Sequence, residues 1–162
     1  MSVAWVEEAK RHLNTREIQD AAKIKGWVSA LGPSWFADTF NAPTTPWCGV
    51  FVAWCLRQAR IGQLPLNYMR ASEWSRWGQA IHEPVEGAIA IYEREGGGHV
   101  AFVAGREPDG SVVCIGGNQS NMVCLAKFQQ SRPVQYRWPL GQPMIGILPH
   151  IHVGGMHSTN EA

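Results

Sequence analysis

The chain holds little of what would classify it at a glance. Across 162 residues there are only four cysteines, too few for a disulfide scaffold at this size. They also lack the paired short spacing of a structural zinc site, so free thiols and no metal are expected. Fourteen basic against thirteen acidic side chains leave a formal charge of +1, and no basic run occurs, which argues against a nucleic-acid partner. No segment is apolar for long enough to span a bilayer. Glu7, Glu8, Lys10 and Arg11 stand where a signal peptide needs an uninterrupted apolar run. The expectation is synthesis in the cytoplasm without a signal peptide and no insertion into a membrane.

What is present suits one globular domain: 45% apolar and 17% charged residues, with eight tryptophans and seventeen glycines on the high side. Apolar positions at helical period predict helices over about 3 to 13 and 17 to 30, the second ended by Gly32-Pro33. Residues 33 to 45 read as a loop. The best-marked helix follows, with Thr45 placed to cap it, Pro46 at its first position and Gly62 just beyond its end. A short helix is expected near 70 to 77. After Pro84 come short β-branched runs at 87–92, 99–105, 111–117, 122–126, 134–138 and 144–148, divided by turn residues. Helices first and strands second give an α+β order, with a small antiparallel sheet or partial barrel packed on the helices. The domain is expected to span 1–149, and the polar tail 150–162 to be frayed.

Two cysteines share the stretch TTPWCGVFVAWC (44–55). Seven residues apart on a helix, Cys48 and Cys55 lie on nearly one face but roughly 10 Å apart, too far for a disulfide or a shared zinc ion. Cys48 sits in the first turn, where unpaired N–H groups and the helix dipole favour a thiolate. Cys55, between Trp54 and Leu56, reads as core.

A cysteine nucleophile needs a base. Of the six histidines, His12 lies on a charged helix, His82 in a connector and His150, His152 and His157 in the tail. His99 opens a strand directly after three glycines. Strand alternation sets it on one face with small Ala101, where a helix could come close. The turn Glu107-Pro108-Asp109-Gly110 joins this strand to the next. With a two-residue loop, Asn118 faces His99; with a left-handed bulge at Gly110, the pairing slides by one and Gln119 faces it. Either amide would fix the imidazole tautomer.

The stretches TPWCGVFVAWCL (45–56), ASEWSRWG (71–78), PVEGAIAIYEREGGGHVAFVAG (84–105), IGGNQSN (115–121) and YRWP (136–139) together resemble the CHAP and NlpC-type amidases. These are papain-like cysteine peptidases of bacterial cell-wall metabolism, and the likeness extends to small CHAP-like phage lysins and type VI secretion effectors. The resemblance implies a papain-like fold and a peptidoglycan hydrolase without cofactor. Cys48 would be the nucleophile, His99 the general base and acid, and Asn118 the orienting residue. Trp47, Trp74 and Gln119 are the candidate substrate contacts, although core packing is the commoner job of a tryptophan. Two departures stand out: Gly116 replaces a common Glu, and Gly87-Ala88 replaces a common Gly-Asp. Peptidoglycan lies outside the membrane, so action in the periplasm or cell wall after export by a secretion apparatus, or after holin-mediated lysis, is implied, with an immunity protein as a prospective partner. Two other readings share the residues: a transglutaminase- or deamidase-like toxin acting on protein glutamine, and a non-catalytic cell-wall-binding module.

Overall fold

The computed structural model of the chain describes residues 2–94, 96–133 and 135–158. Four α-helices come first: α1 (Ala4–Arg11), α2 (Ala21–Leu31), α3 (Ser34–Thr39) and α4 (Cys48–Gln58). A 3-10 helix over Ala71–Arg76 precedes six strands, β1 (Gln79–Ile81), β2 (Ile89–Arg94), β3 (Gly97–Arg106), β4 (Val112–Gln119), β5 (Met122–Phe128) and β6 (Gln135–Trp138). Among the described residues these strands form one antiparallel sheet in the order β1-β6-β2-β3-β4-β5. The architecture is the expected α+β one.

Helix α4 is the centre of the core. Gly49, Val50, Phe51, Val52, Ala53, Cys55 and Leu56 are buried along its length, as an all-round apolar helix must be. Aromatic rings tie it to the other helices, with Trp27 of α2 lying 5.7 Å from Phe51 and 6.4 Å from Trp47 between centroids. Gly117 of β4 permits the close approach of α4 to the sheet. A Cβ at that position would stand 2.7 Å from both the Phe51 Cβ and the Trp47 ring. Its neighbour Gly116 turns to the opposite face, where a Cβ would meet that of Ala101. The helix therefore packs on the face of β3 that carries Val100 and Phe102, and Ala101 belongs to the far face. The expectation that Ala101 makes room for the helix is corrected accordingly; Gly117 does so.

Four further expectations change. Helix α4 begins at Cys48, two residues later than the Pro46 start, because Thr45 is already committed: its N–H bonds the Asn41 carbonyl at 2.8 Å and its hydroxyl accepts from the Asn41 N–H. The loop at 33–45 contains α3, which buries Phe36 and Ala37. The run 144–148 is not a strand, since Gly146 takes a φ of 74° between Pro143 and Pro149, leaving Ile147 exposed. Strand β1, three residues long, had too little pattern to be foreseen.

The tail through Ser158 is docked, not frayed; residues 159–162 lie outside the described residues. The Ile151 N–H bonds the Arg106 carbonyl, and the Glu107 carboxylate accepts from the Val153 N–H at 2.6 Å and pairs with His152 Nδ1 at 2.8 Å. Those bonds, the Val153 one first, hold the Glu107 carboxyl below its ordinary pKa. A depressed carboxyl pKa stabilises the docked tail at neutral pH, and that contribution disappears as pH falls through the lowered value. Limited proteolysis should therefore cut the tail faster below about pH 4 than at pH 7, and Glu107→Gln should show the faster cutting at pH 7. Separately, Gly117→Ala should lower stability by about 1 to 3 kcal/mol through overpacking against Phe51 and Trp47, read as a drop in denaturant midpoint.

Candidate active site

Cys48 is the first residue of α4 and is only 2% exposed. It nevertheless lines a groove of about 550 Å³, together with Arg70, Ser72, Ser75, Arg94 and the glycines at 96–98. Burial pushes the thiol pKa up. The N–H groups of Val100, Gly49 and Cys48 itself, and the Arg94 charge, pull it part of the way back. The net direction differs from the depressed thiol expected of a helix start, because desolvation outweighs the helix terminus at a site this dry. A pKa raised above the ordinary thiol value leaves the resting thiol protonated at neutral pH.

The Val100 N–H reaches the sulfur for a reason visible in the ladder. On β3 the Val103 N–H bonds Ala88 on the β2 side. Alternation then directs the N–H groups of Phe102 and Val100 toward β4. Pairing of β3 with β4 runs from Arg106↔Val112 only as far as Phe102↔Ile115. Beyond that point the Val100 N–H has the Cys48 thiol in place of a β4 carbonyl.

His99, the residue before Val100, is 1% exposed. Its ring lies on the far face of the sheet, 5.9 Å from Tyr92 and stacked at 6.3 Å over Phe128. His99 Nε2 is 3.0 Å from Gln119 Oε1, while Gln119 Nε2 donates to the Cys124 carbonyl at 2.7 Å. The second bond decides the first: with its NH₂ end spent on a carbonyl, Gln119 presents oxygen to the imidazole. Nε2 therefore carries the proton, and Nδ1 is the basic nitrogen of the neutral ring.

The amide that meets His99 is thus Gln119; Asn118, assigned to this role by resemblance, does not make the bond. The hairpin explains why. Gly110 does take a positive φ of 91°, and the Glu107 N–H bonds the Ser111 carbonyl, as in the bulged alternative. A second irregularity between Val103 and Gly105 then moves the register back by one. A third, between Gly116 and Gln119 on the β5 side, with Asn118 at a φ of 57°, rotates the strand end so that Gln119 turns to the imidazole.

Trp47 and Trp74 are fully buried, their indole N–H groups bonded to Glu17 Oε1 and the Tyr68 carbonyl. They wall the core and offer no surface to a substrate, which corrects their assignment as contacts. Cys55 is fully buried with its thiol pKa pushed well up, as core. All four cysteines are free. Among the described residues no cluster of His, Cys, Asp and Glu suits a metal ion, and no helix is long and apolar enough to cross a membrane. Arg94, which reaches the thiol through its charge, was not singled out in the sequence; its only signal was its place at the end of β2 opposite Gly97.

Residues 40–118 match the family model for the CHAP domain, a family of peptidoglycan amidases and hydrolases. The match contains Cys48 and His99 and ends one residue short of Gln119. No curated protein matches the chain.

If Gln119 fixes the tautomer, Gln119→Ala should slow alkylation of Cys48 by iodoacetamide at pH 7 by about tenfold or more and displace its pH profile. An unchanged profile would assign the bond a purely structural part.

Proposed function

This chain carries a CHAP domain, and on that premise we propose that it hydrolyses an amide bond in the peptide part of peptidoglycan through a Cys48 acyl-enzyme. The observation that carries the reading is the four-residue junction at the open end of β3 and β4. There the thiol sits at the Val100 N–H, and the adjacent His99 is held by Gln119 with Nδ1 as its basic nitrogen. Cys48 approaches from the helix side of the sheet and His99 from the far side. The proposed mechanism has them exchange a proton through the gap where strand pairing ends.

In this mechanism His99 Nδ1 takes the Cys48 proton as the sulfur attacks the amide carbonyl carbon. The developing oxyanion accepts a hydrogen bond from the Cys48 N–H at the start of α4. The C–N bond breaks as His99 returns the proton to the leaving amine. A water molecule, deprotonated by His99, then attacks the thioester and releases the acid and the thiol. Arg70 and Arg94 line the groove and suit a substrate bearing free carboxylates, as stem peptides of the cell wall do.

Activity would be exerted in the periplasm or cell wall after export or lysis, in the manner of a secreted antibacterial effector or a phage-type lysin. A cognate immunity protein or a secretion apparatus would then be partners. Digestion of purified peptidoglycan, with mass spectrometry of the fragments, tests the chemistry. The wild type should create new peptide or muramoyl termini, and Cys48→Ala and His99→Ala should each reduce their yield by about a thousandfold or more. No new termini with the wild type, or full activity in Cys48→Ala, would sink the proposal.

A further inference from the structure

The groove at Cys48 shares Pro46 and Arg94 with a second hollow of about 280 Å³, which Glu17, Thr44, Asn118 and Asn121 also line. Asn118 has a role left to fill. Its neighbour Gln119 spends its amide on His99 and Cys124, whereas Asn118 Oδ1 is buried without a hydrogen-bond partner in a side chain 6% exposed. A buried acceptor left unpaired is costly, and native structures hold few of them. The φ of 57° at this position accounts for a residue that tolerates the left-handed region, but glycine would serve that purpose better. An asparagine adds a carboxamide, and its terminal torsion is soft enough to turn the oxygen toward the hollow.

We infer that Asn118 is a substrate-binding residue: it accepts a hydrogen bond from a peptide N–H of the segment extending from the scissile amide past Pro46 and Arg94. The inference rests on the peptide-hydrolase reading above and deepens it, because it makes the substrate an extended peptide backbone on this side of the thiol. The neighbouring amides divide the labour, Gln119 positioning the base and Asn118 positioning the peptide.

Steady-state kinetics on a soluble stem-peptide fragment of peptidoglycan tests it with Asn118→Gly and Asn118→Asp. Asn118→Gly keeps the backbone unstrained and deletes the amide, so KM should rise about five- to tenfold. The turnover number should stay within about twofold and its pH profile should not move. Asn118→Asp retains the acceptor and should restore KM toward the wild-type value. Asn118→Ala is the second deletion variant, with thermal unfolding to verify its fold. An unchanged KM in both deletion variants would overturn the inference and leave Asn118 a backbone residue. A fall in turnover with a displaced pH profile would also overturn it, by making Asn118 a partner of His99. A wild type inert on peptidoglycan would remove the hydrolase reading and this inference together, whereas an active wild type with indifferent Asn118 variants would remove this inference alone.

Discussion

The closeness of α4 to the sheet is the constraint on which the site depends. Packed layers of secondary structure are normally kept apart by the side chains that fill the space between them. At Gly117 that filling is missing, and Trp47 and Phe51 press onto bare backbone. The first residue of the helix is thereby lowered to the level of the strands, where a thiol can engage a main-chain N–H of β3. Any side chain at 117 would lift the helix start and withdraw the sulfur from Val100. Stability and chemistry meet at one absent Cβ.

A second arrangement complements the first. The sheet stops pairing at Phe102↔Ile115, and interrupted ladders ordinarily leave backbone groups without partners, a cost that sheets avoid. Here the vacancy is used: the thiol takes the Val100 donor, while the irregular end of β4 supplies Gln119 to the imidazole. Buried Tyr92 and Phe128 flank the ring, so the histidine is immobilised by packing as well as by hydrogen bonding.

Much of this was legible in the sequence because it depends on local rules. Periodicity revealed α4, alternation revealed β3, and helical spacing separated Cys48 from Cys55. The family resemblance, too, lay mostly in residues within the matched span 40–118, with only the end of IGGNQSN and YRWP (136–139) beyond it. What escaped detection depends on sums of small irregularities. Two register shifts in β3 and β4 cannot be counted from turn residues alone, so Asn118 and Gln119 stayed interchangeable until the Cys124 carbonyl fixed one of them. Burial is likewise a property of the whole fold: nothing in the stretch around Cys48 discloses that desolvation outweighs the helix start. Trp47 and Trp74 look the same in sequence whether they line a groove or fill a core, and the layer thickness at Gly117 puts Trp47 inside.

The buried, protonated state of Cys48 also bears on chemical durability. Peroxides and disulfides are attacked by thiols that are both ionised and open to solvent, and the resting Cys48 is neither. Cys55 and Cys114 are sealed in the same way, with the Cys114 thiol pKa pushed up to about 12. Three of the four thiols thus lie dormant at rest, and Cys124, which is only partly buried, is the sulfur left for such reagents to find.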